Sequence, residues 1–445
     1  MTAQPELDWH GEDVSITDVL NALNRVRHSF AQAEAGEADQ PHPRNSVMTL
    51  VAVAPNSVEE TRAILASTAI AGHHPSLSIV VRDEPQVRAG RIDASVMAPS
   101  QCELVVLRVQ GAAGSHLAAM VDPLLVSGVP TYLWWLGTPA FGHAELTDAL
   151  RIADALVIDS SRFERPYHSF LSLAELALHS HRRLGLADFQ WQRLAPWREG
   201  VAQFFSPQER RSLMQGIAEV GIEYTGEGRG NRIGAALVIG WLASSLGWKL
   251  QRAAAGGGGV VSAMFQAEGW RPVEVAFKPA PRSHLAQGEI SALRLSGSLR
   301  GKSFSISMQR DPQRPRRANE SQYQRLHQTG GEDDAGVELA QRKAEQHREA
   351  MVSRLDSLHH TATGDAPGES VPRHPVVVAR ERRRPDTSDV LLTMIDLGDA
   401  ETLRHVQRVP AEDEPTMLLQ LLFMGARDKV YTRSLEVAAA LMKAL

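Results

Sequence analysis

The chain carries one cysteine, Cys102, in 445 residues. An internal disulfide is therefore excluded, as is any metal site built from more than one thiolate of this chain, and a reducing compartment is the expected setting. Long apolar runs are missing too: none approaches the roughly 18 residues that a membrane-spanning helix needs. The opening MTAQPELDWHGEDVS lacks the basic and apolar regions of a secretory signal, so a cytoplasmic protein without a membrane partner is expected. Positive charge is not in excess. The formal net charge is −5, which argues against general affinity for nucleic acid. The basic runs Arg314–Arg317 and Arg380–Arg384 stand beside acidic stretches with no interleaved aromatics, and read as solvated charge.

Catalytic signatures are also absent. No GxGxxG stands between a strand and a helix. In SGSLRGKS (Ser296–Ser303), Gly297 and Gly301 are one residue too close for a phosphate loop, and both flanks are strand-like. A hairpin turn fits that stretch better. The run Gly256–Gly259 has no helix after it, and Gly226, Gly228 and Gly230 follow a helical stretch at the wrong spacing. GxSxG is missing, which removes the elbow of a Ser-His-Asp hydrolase. The 17 histidines show no HExxH or similar ligand spacing. No catalytic residue, metal ligand or cofactor is assigned.

What the chain does contain is alternation. Ser15–Ala33 has helical spacing at Ile16, Val19, Leu20, Leu23 and Val26, and residues 1–46 form a helical entry segment. Over 47–184, nearly all-apolar strand patterns (Val47–Ala54, Leu77–Val81, Glu103–Val109, Val129–Leu136, Ala155–Asp159) alternate with helical ones. That pattern indicates βαβ units and a Rossmann-like parallel sheet covered on both faces. Ser57 reads as a helix N-cap, with Glu60 completing a capping box. Over 185–310 the chain is first mostly helical, to Gly247, and then turns to short alternating strands from Val260 to Met308. This is an α+β domain with an antiparallel sheet. A charged insertion, 311–386, reads as partly helical and partly disordered. Residues 387–445 complete the C-terminal domain with a strand and two helices.

Aromatics make up only 5% of the chain, yet four of its eight tryptophans fall in two short segments. Trp134 and Trp135 adjoin in TYLWWLG. Neighbouring strand residues face opposite ways, so one core layer cannot take both. Trp191 and Trp197 stand in DFQWQRLAPWRE with Arg193 and Arg198. These residues either fill an interdomain core or, as a group, form a protein-binding hot spot, whose composition they share. Asp159, Ser160 and Arg162 lie just past the strand ALVI, at the edge where open α/β sheets place ligands. There, Asp159 or a neighbouring serine caps the next helix, or the edge holds a ligand. The second option would make the chain a phosphosugar- or nucleotide-binding enzyme or sensor.

Asp122–Gly137, Ala155–Phe163, Asp188–Glu199 and Pro415–Leu441, taken in order, resemble the OpcA family, the glucose-6-phosphate dehydrogenase assembly proteins. The resemblance implies a non-catalytic partner of glucose-6-phosphate dehydrogenase. Such a partner would promote the enzyme's active oligomer and so serve the oxidative pentose phosphate pathway and NADPH supply. Trp134, Trp135, Trp191, Arg193, Trp197 and Arg198 are then the expected partner contacts. Some members are tied to redox control through cysteines, and Cys102 alone cannot form the internal disulfide this would need.

Overall fold

The computed structural model describes residues 8–35, 46–71, 73–84, 90–97, 102–111, 116–179, 184–226, 231–280, 285–311, 389–398, 402–409, 413–423 and 428–445. Apart from Asp311, the 311–386 insertion lies outside them, as do Gly228 and Gly230. The strands are β1 (Asp8–Gly11), β2 (Met48–Ala54), β3 (Ser76–Glu84), β4 (Arg91–Met97), β5 (Cys102–Gln110), β6 (Thr131–Trp135), β7 (Ala155–Ile158) and β8 (Gly185–Asp188) in a first sheet. A second sheet holds β9 (Ile217–Thr225), β10 (Lys249–Ala255), β11 (Val261–Gln266), β12 (Pro272–Ala280), β13 (Ile290–Leu299), β14 (Lys302–Asp311), β15 (Asp389–Asp396) and β16 (Leu403–Val409). The helices are α1 (Ile16–Ala35), α2 (Ser57–Ala71), α3 (Leu117–Val121), α4 (Ala144–Ala149), α5 (Pro166–His179), α6 (Phe189–Arg193), α7 (Ala195–Phe205), α8 (Gln208–Arg211), α9 (Ile233–Leu246), α10 (Glu414–Phe423) and α11 (Lys429–Lys443).

The first sheet runs β1-β4-β5-β3-β2-β6-β7-β8. From β5 to β8 every pairing is parallel, and the order is that of a doubly wound Rossmann-like sheet with its switch point between β2 and β6. All seven residues of β2 are buried, so helices cover both faces, as the unbroken apolar run MTLVAVA requires. Two antiparallel strands, β4 and β1, extend the far edge. The sequence reading left both out, and the entry segment, through β1, is thus part of this sheet. Gly185–Asp188, assigned from sequence to the following domain, pairs with β7 and closes the near edge.

The second sheet runs β10-β11-β12-β9-β13-β14-β15-β16 and is antiparallel at every pairing described except β12–β9. All four strands anticipated from Val260 to Met308 are present. Ile217–Thr225, read as part of a helical stretch, is instead a central strand. Leu299 pairs with Lys302 across a two-residue turn in which Arg300 (φ 52°) and Gly301 (φ 78°) both take positive φ. SGSLRGKS is therefore a β-hairpin with a type I′ turn, as its flanks predict.

α9 is apolar on nearly every side and lies buried between this sheet and α11. A Cβ on Gly240 would sit 2.1 Å from the Ser434 carbonyl, so glycine sets the close approach of these two helices. α11 also packs on α5, and α10 on α2, which ties the C-terminal helices to the first sheet. One face of the second sheet is covered, with Phe204 and Phe205 of α7 against Phe304. Along β12 burial alternates strictly, so the opposite face is open.

Candidate functional site

In a doubly wound sheet the ligand crevice opens beyond the carboxyl ends of the strands at the switch point. Here the turn after β2 is Pro55-Asn56, and α2 begins at once. The Asn56 side chain accepts the Glu59 N–H at 3.0 Å, so Asn56, and not Ser57, is the N-cap. Glu59 and Glu60 fill the first helical turn. Glu60 is buried and, instead of completing a capping box, accepts from Arg82 at 2.7 Å and from Arg108 at 2.9 Å, side chains at the ends of β3 and β5. Glu59 and Glu414 both bind Arg62, which brings α10 onto α2. The place where a helix N-terminus would receive a phosphate thus holds a capping side chain and two carboxylates.

A second polar cluster stands past β7 and β8. The Asp159 side chain accepts the Ser161 N–H and caps the single 3₁₀ turn Ser160–Arg162 rather than the longer helix α5. Both Arg193 Nη atoms donate to its two oxygens at 2.8 Å, and Ser161 Oγ donates at 2.5 Å. Burial pushes the Asp159 carboxyl up, but Arg193, with help from Ser161 and Arg162, outweighs it and holds the group below its usual range. Asp159 is 4% exposed, so this pair has its charge satisfied within the chain.

Asp188, the last residue of β8, is the structural centre of the cluster. Its carboxylate accepts Ser160 N–H (3.0 Å), Ser160 Oγ (2.7 Å), Gln190 N–H (2.9 Å) and Tyr431 Oη (2.9 Å). Complete burial raises its pKa to about 6, opposed by the Ser160 hydrogen bonds and assisted by the nearby Asp159 charge. Burial, then the Asp188 carboxylate, raises the Tyr431 phenol in turn. Asn231 Nδ2 donates to the Ser161 carbonyl at 2.9 Å while its Oδ1 accepts the Ile233 N–H, so α9 is fastened to the same loop.

The predicted aromatic residues divide sharply. Trp134, Trp191 and Trp197 are 1%, 4% and 3% exposed and belong to the chain's own core. Trp134 lies 6.0 Å from Phe189, at the start of α6, so one of the two adjacent tryptophans does face the 188–199 segment. Trp135, on the other face of β6, is half-buried. Trp191 donates Nε1–H to Asp428 at 2.8 Å, and Asp428 in turn caps α11. The Arg198 guanidinium stacks 3.6 Å from the Trp191 ring centre. Burial brings its pKa down to about 10. The structure therefore gathers Asp159, Ser160, Arg162 and Arg193 in one cluster and Trp191 and Arg198 in an adjoining one, and leaves Trp135 and Trp197 apart. Sequence reasoning missed Asp188, Tyr431, Asn231 and Asp428. Only Asp428, an acidic residue directly before a helical run, carried a readable capping signal.

Fold and site together define a two-sheet α/β protein whose Rossmann-like half has a closed phosphate turn and a buried polar joint to its second half. The chain matches the family described as glucose-6-phosphate dehydrogenase subunit, by its N-terminal domain over residues 67–175 and by its C-terminal domain over 184–435. It belongs to this OpcA family. A protein named OpcA from Synechocystis is 35% identical over 147 residues, covering 33% of this chain and 30% of the relative. One from Nostoc punctiforme is 31% identical over 201 residues, covering 44% and 42%. The chain thus spans less than half the length of either relative. Among solved structures, a 3-ketoreductase from Actinomadura kijaniata in complex with NADP aligns over 89% of this chain and 96% of its own, at 11% identity and a TM-score of 0.42. No inference about chemistry follows at that level of likeness. Among the described residues no helix is long and apolar enough to cross a membrane.

Proposed function

We propose that this chain is a non-catalytic subunit that binds glucose-6-phosphate dehydrogenase and favours its active oligomer. Family membership supplies the partner. The observation that carries the non-catalytic half is the β2–α2 turn, where Asn56 caps the helix and Glu59 and Glu60 stand at the dinucleotide phosphate position. A pyrophosphate there would meet two carboxylates in the first helical turn, with the Glu59 N–H already taken by Asn56. The alternative edge at Asp159 is weakened by burial and by the Arg193 pair, which leave no charge for a ligand to take.

Such a subunit acts by binding the active assembly more tightly than the inactive one, because only differential affinity shifts an equilibrium. Of the tryptophans singled out, Trp135 is the half-buried one and the proposed contact, while the other three are buried in the core. The test is the steady-state rate of the same organism's dehydrogenase with and without this chain, with light scattering on the mixture. A co-eluting complex with altered kcat or KM is expected. Folded protein that neither co-elutes nor changes the rate overturns the reading. Thermal melts with NADP and NADPH test the closed turn separately. Binding at 100 times Kd would add about 2.7 kcal/mol, and no such rise is expected.

A further inference from the structure

The open face of the second sheet is a trough of about 720 Å³ that no described element of the chain covers. Its floor can be read from the strand register. One row across the sheet is Ala254, Ser262, Ala276, Gly221, Arg294 and Ser307. The next is Arg252, Met264, Glu274, Glu219, Ser296 and Ser305. Apart from Met264, the side chains between the charges are small, so a second surface can approach the backbone closely there. Gly221 leaves the space beside Arg294 open: a Cβ there would lie 3.9 Å from the Arg294 Cβ.

Four charges stand on these rows. Arg252, Glu219, Glu274 and Arg294 are all exposed, and among the described residues none makes an ion pair. Glu219 and Glu274 are directly opposite on the parallel strands β9 and β12, where like charges repel. Among the described residues, the polar contact on this acidic pair is Ser296 Oγ donating to Glu219 at 2.8 Å. The face is therefore balanced in sign, and its four charges find no ion-pair partner among the described residues. Arg294 sits one strand and one row from Glu219, at the diagonal separation of about 7–8 Å that cross-strand neighbours show.

We propose that this face binds a second copy of the chain about a twofold axis. An axis lying in the plane of contact, crossing midway between Glu219 and Arg294 at right angles to the line joining them, exchanges their positions. Each Glu219 then faces the partner's Arg294, and each Arg294 the partner's Glu219, which is the self-complementarity an isologous interface requires. The area is sufficient. The six strands that form this floor, about 4.8 Å apart over a contact length of about 25 Å, give roughly 600–700 Å² per copy, the small end of a standard interface. A partner surface of single charge would leave two of the four charges opposed by like sign, so the balanced pattern favours self-association.

The test is sedimentation or light scattering of the full chain across a dilution series, with no dehydrogenase present, so its outcome is separate from the proposed function. Twice the monomer mass is expected at micromolar concentration. Arg294→Glu and Glu219→Arg should each raise the dimer Kd by on the order of 100-fold, because each sets like charges together at two symmetric places. Mixing the two single variants should restore a dimer, since one then supplies only carboxylates and the other only guanidinium groups at both contacts. Circular dichroism on each variant separates loss of association from loss of fold. A folded wild type that stays monomeric at 50–100 times that micromolar range overturns the proposal. So does a dimer indifferent to both reversals, or a mixture that does not re-associate.

Discussion

Replacing Arg193 by methionine keeps an unbranched apolar stem and removes the cation that Asp159 relies on. Asp159 is 4% exposed and receives both Arg193 Nη atoms at 2.8 Å. Taking one partner from a buried ion pair leaves an uncompensated charge, a loss of about 3–5 kcal/mol. Arg162 stands 3.5 Å from Asp159 but is half exposed, so it offsets little, and the lower end of about 3 kcal/mol is expected. The dependence on pH carries the diagnosis. In the native chain Asp159 titrates below its usual 3.8, so it stabilises the fold above that value and this contribution fades as pH falls. Without Arg193, burial dominates and lifts the Asp159 pKa, so the variant gains stability relative to the parent as pH drops from 7 toward 5. Urea unfolding at both pH values measures this, and repeating it in an Asp188→Asn background removes the titration of Asp188, which is coupled to Arg193 and Asp159. Adding Asp159→Asn to the Arg193 variant should recover most of the loss. A deficit below about 1 kcal/mol, or one equal at pH 7 and pH 5, would refute the assignment of a buried pair.

Three further outcomes are expected. Asp188, with a pKa of about 6 in the fold against 3.8 unfolded, binds its proton more readily when native, so stability falls by about 2 kcal/mol as pH rises from 4 to 6. Asp188→Asn should flatten that slope, and urea midpoints across the range that still fall in parallel with the parent would count against it. Trp134→Ala should cost about 3–5 kcal/mol of stability by opening a cavity, whereas Trp135→Ala should cost about 1 kcal/mol and instead weaken capture of the dehydrogenase. Equal thermal destabilisation by the two would contradict the placement of β6. Arg300→Asn should raise stability by about 0.5–1 kcal/mol, because asparagine tolerates the positive φ that Arg300 adopts; a lowered melting temperature would show that the turn is not type I′.

Legibility in the sequence followed how local the cause was. β2, β3, β5 and β6 were readable because a strand buried on both faces needs an unbroken apolar run, and the doubly wound order followed from their alternation with helices. β12 and β14 were readable for the opposite reason, one open face giving strict alternation. β9 was hidden because it breaks both rules. Ala218 and Glu219 are exposed in succession, beside a register shift at Ser296 and Gly297, so the two-residue period is lost where the pattern begins. β8 has only four residues and takes its meaning from β7. At the candidate site the types of residue were legible and their partners were not. Asp159 finds Arg193 at 34 residues' separation, and Asp188 finds Tyr431 at 243. No period or spacing encodes contacts made by docking one domain's helix onto another's sheet, and of the tryptophans that stood out by composition it is Trp191 that lines that joint, against Asp428 and Tyr431.

The two ends of the first sheet's crevice now bear on each other. A helix N-terminus offers one anion site, and α2 has given it to its own Asn56 and to carboxylates in its first turn. Reopening it is not a matter of one substitution. Removing the Glu60 charge would leave Arg82 and Arg108 facing each other at the ends of adjacent strands, paired in register and without their shared acceptor. Glu60 and the two arginines are therefore mutually required, and the proposed absence of a phosphate site at that helix end rests on this network as well as on the Asn56 cap. On the proposed reading as a binding subunit, the surfaces left to act are the half-buried Trp135 on β6 and the charged open face of the second sheet. Both are surfaces suited to binding another protein.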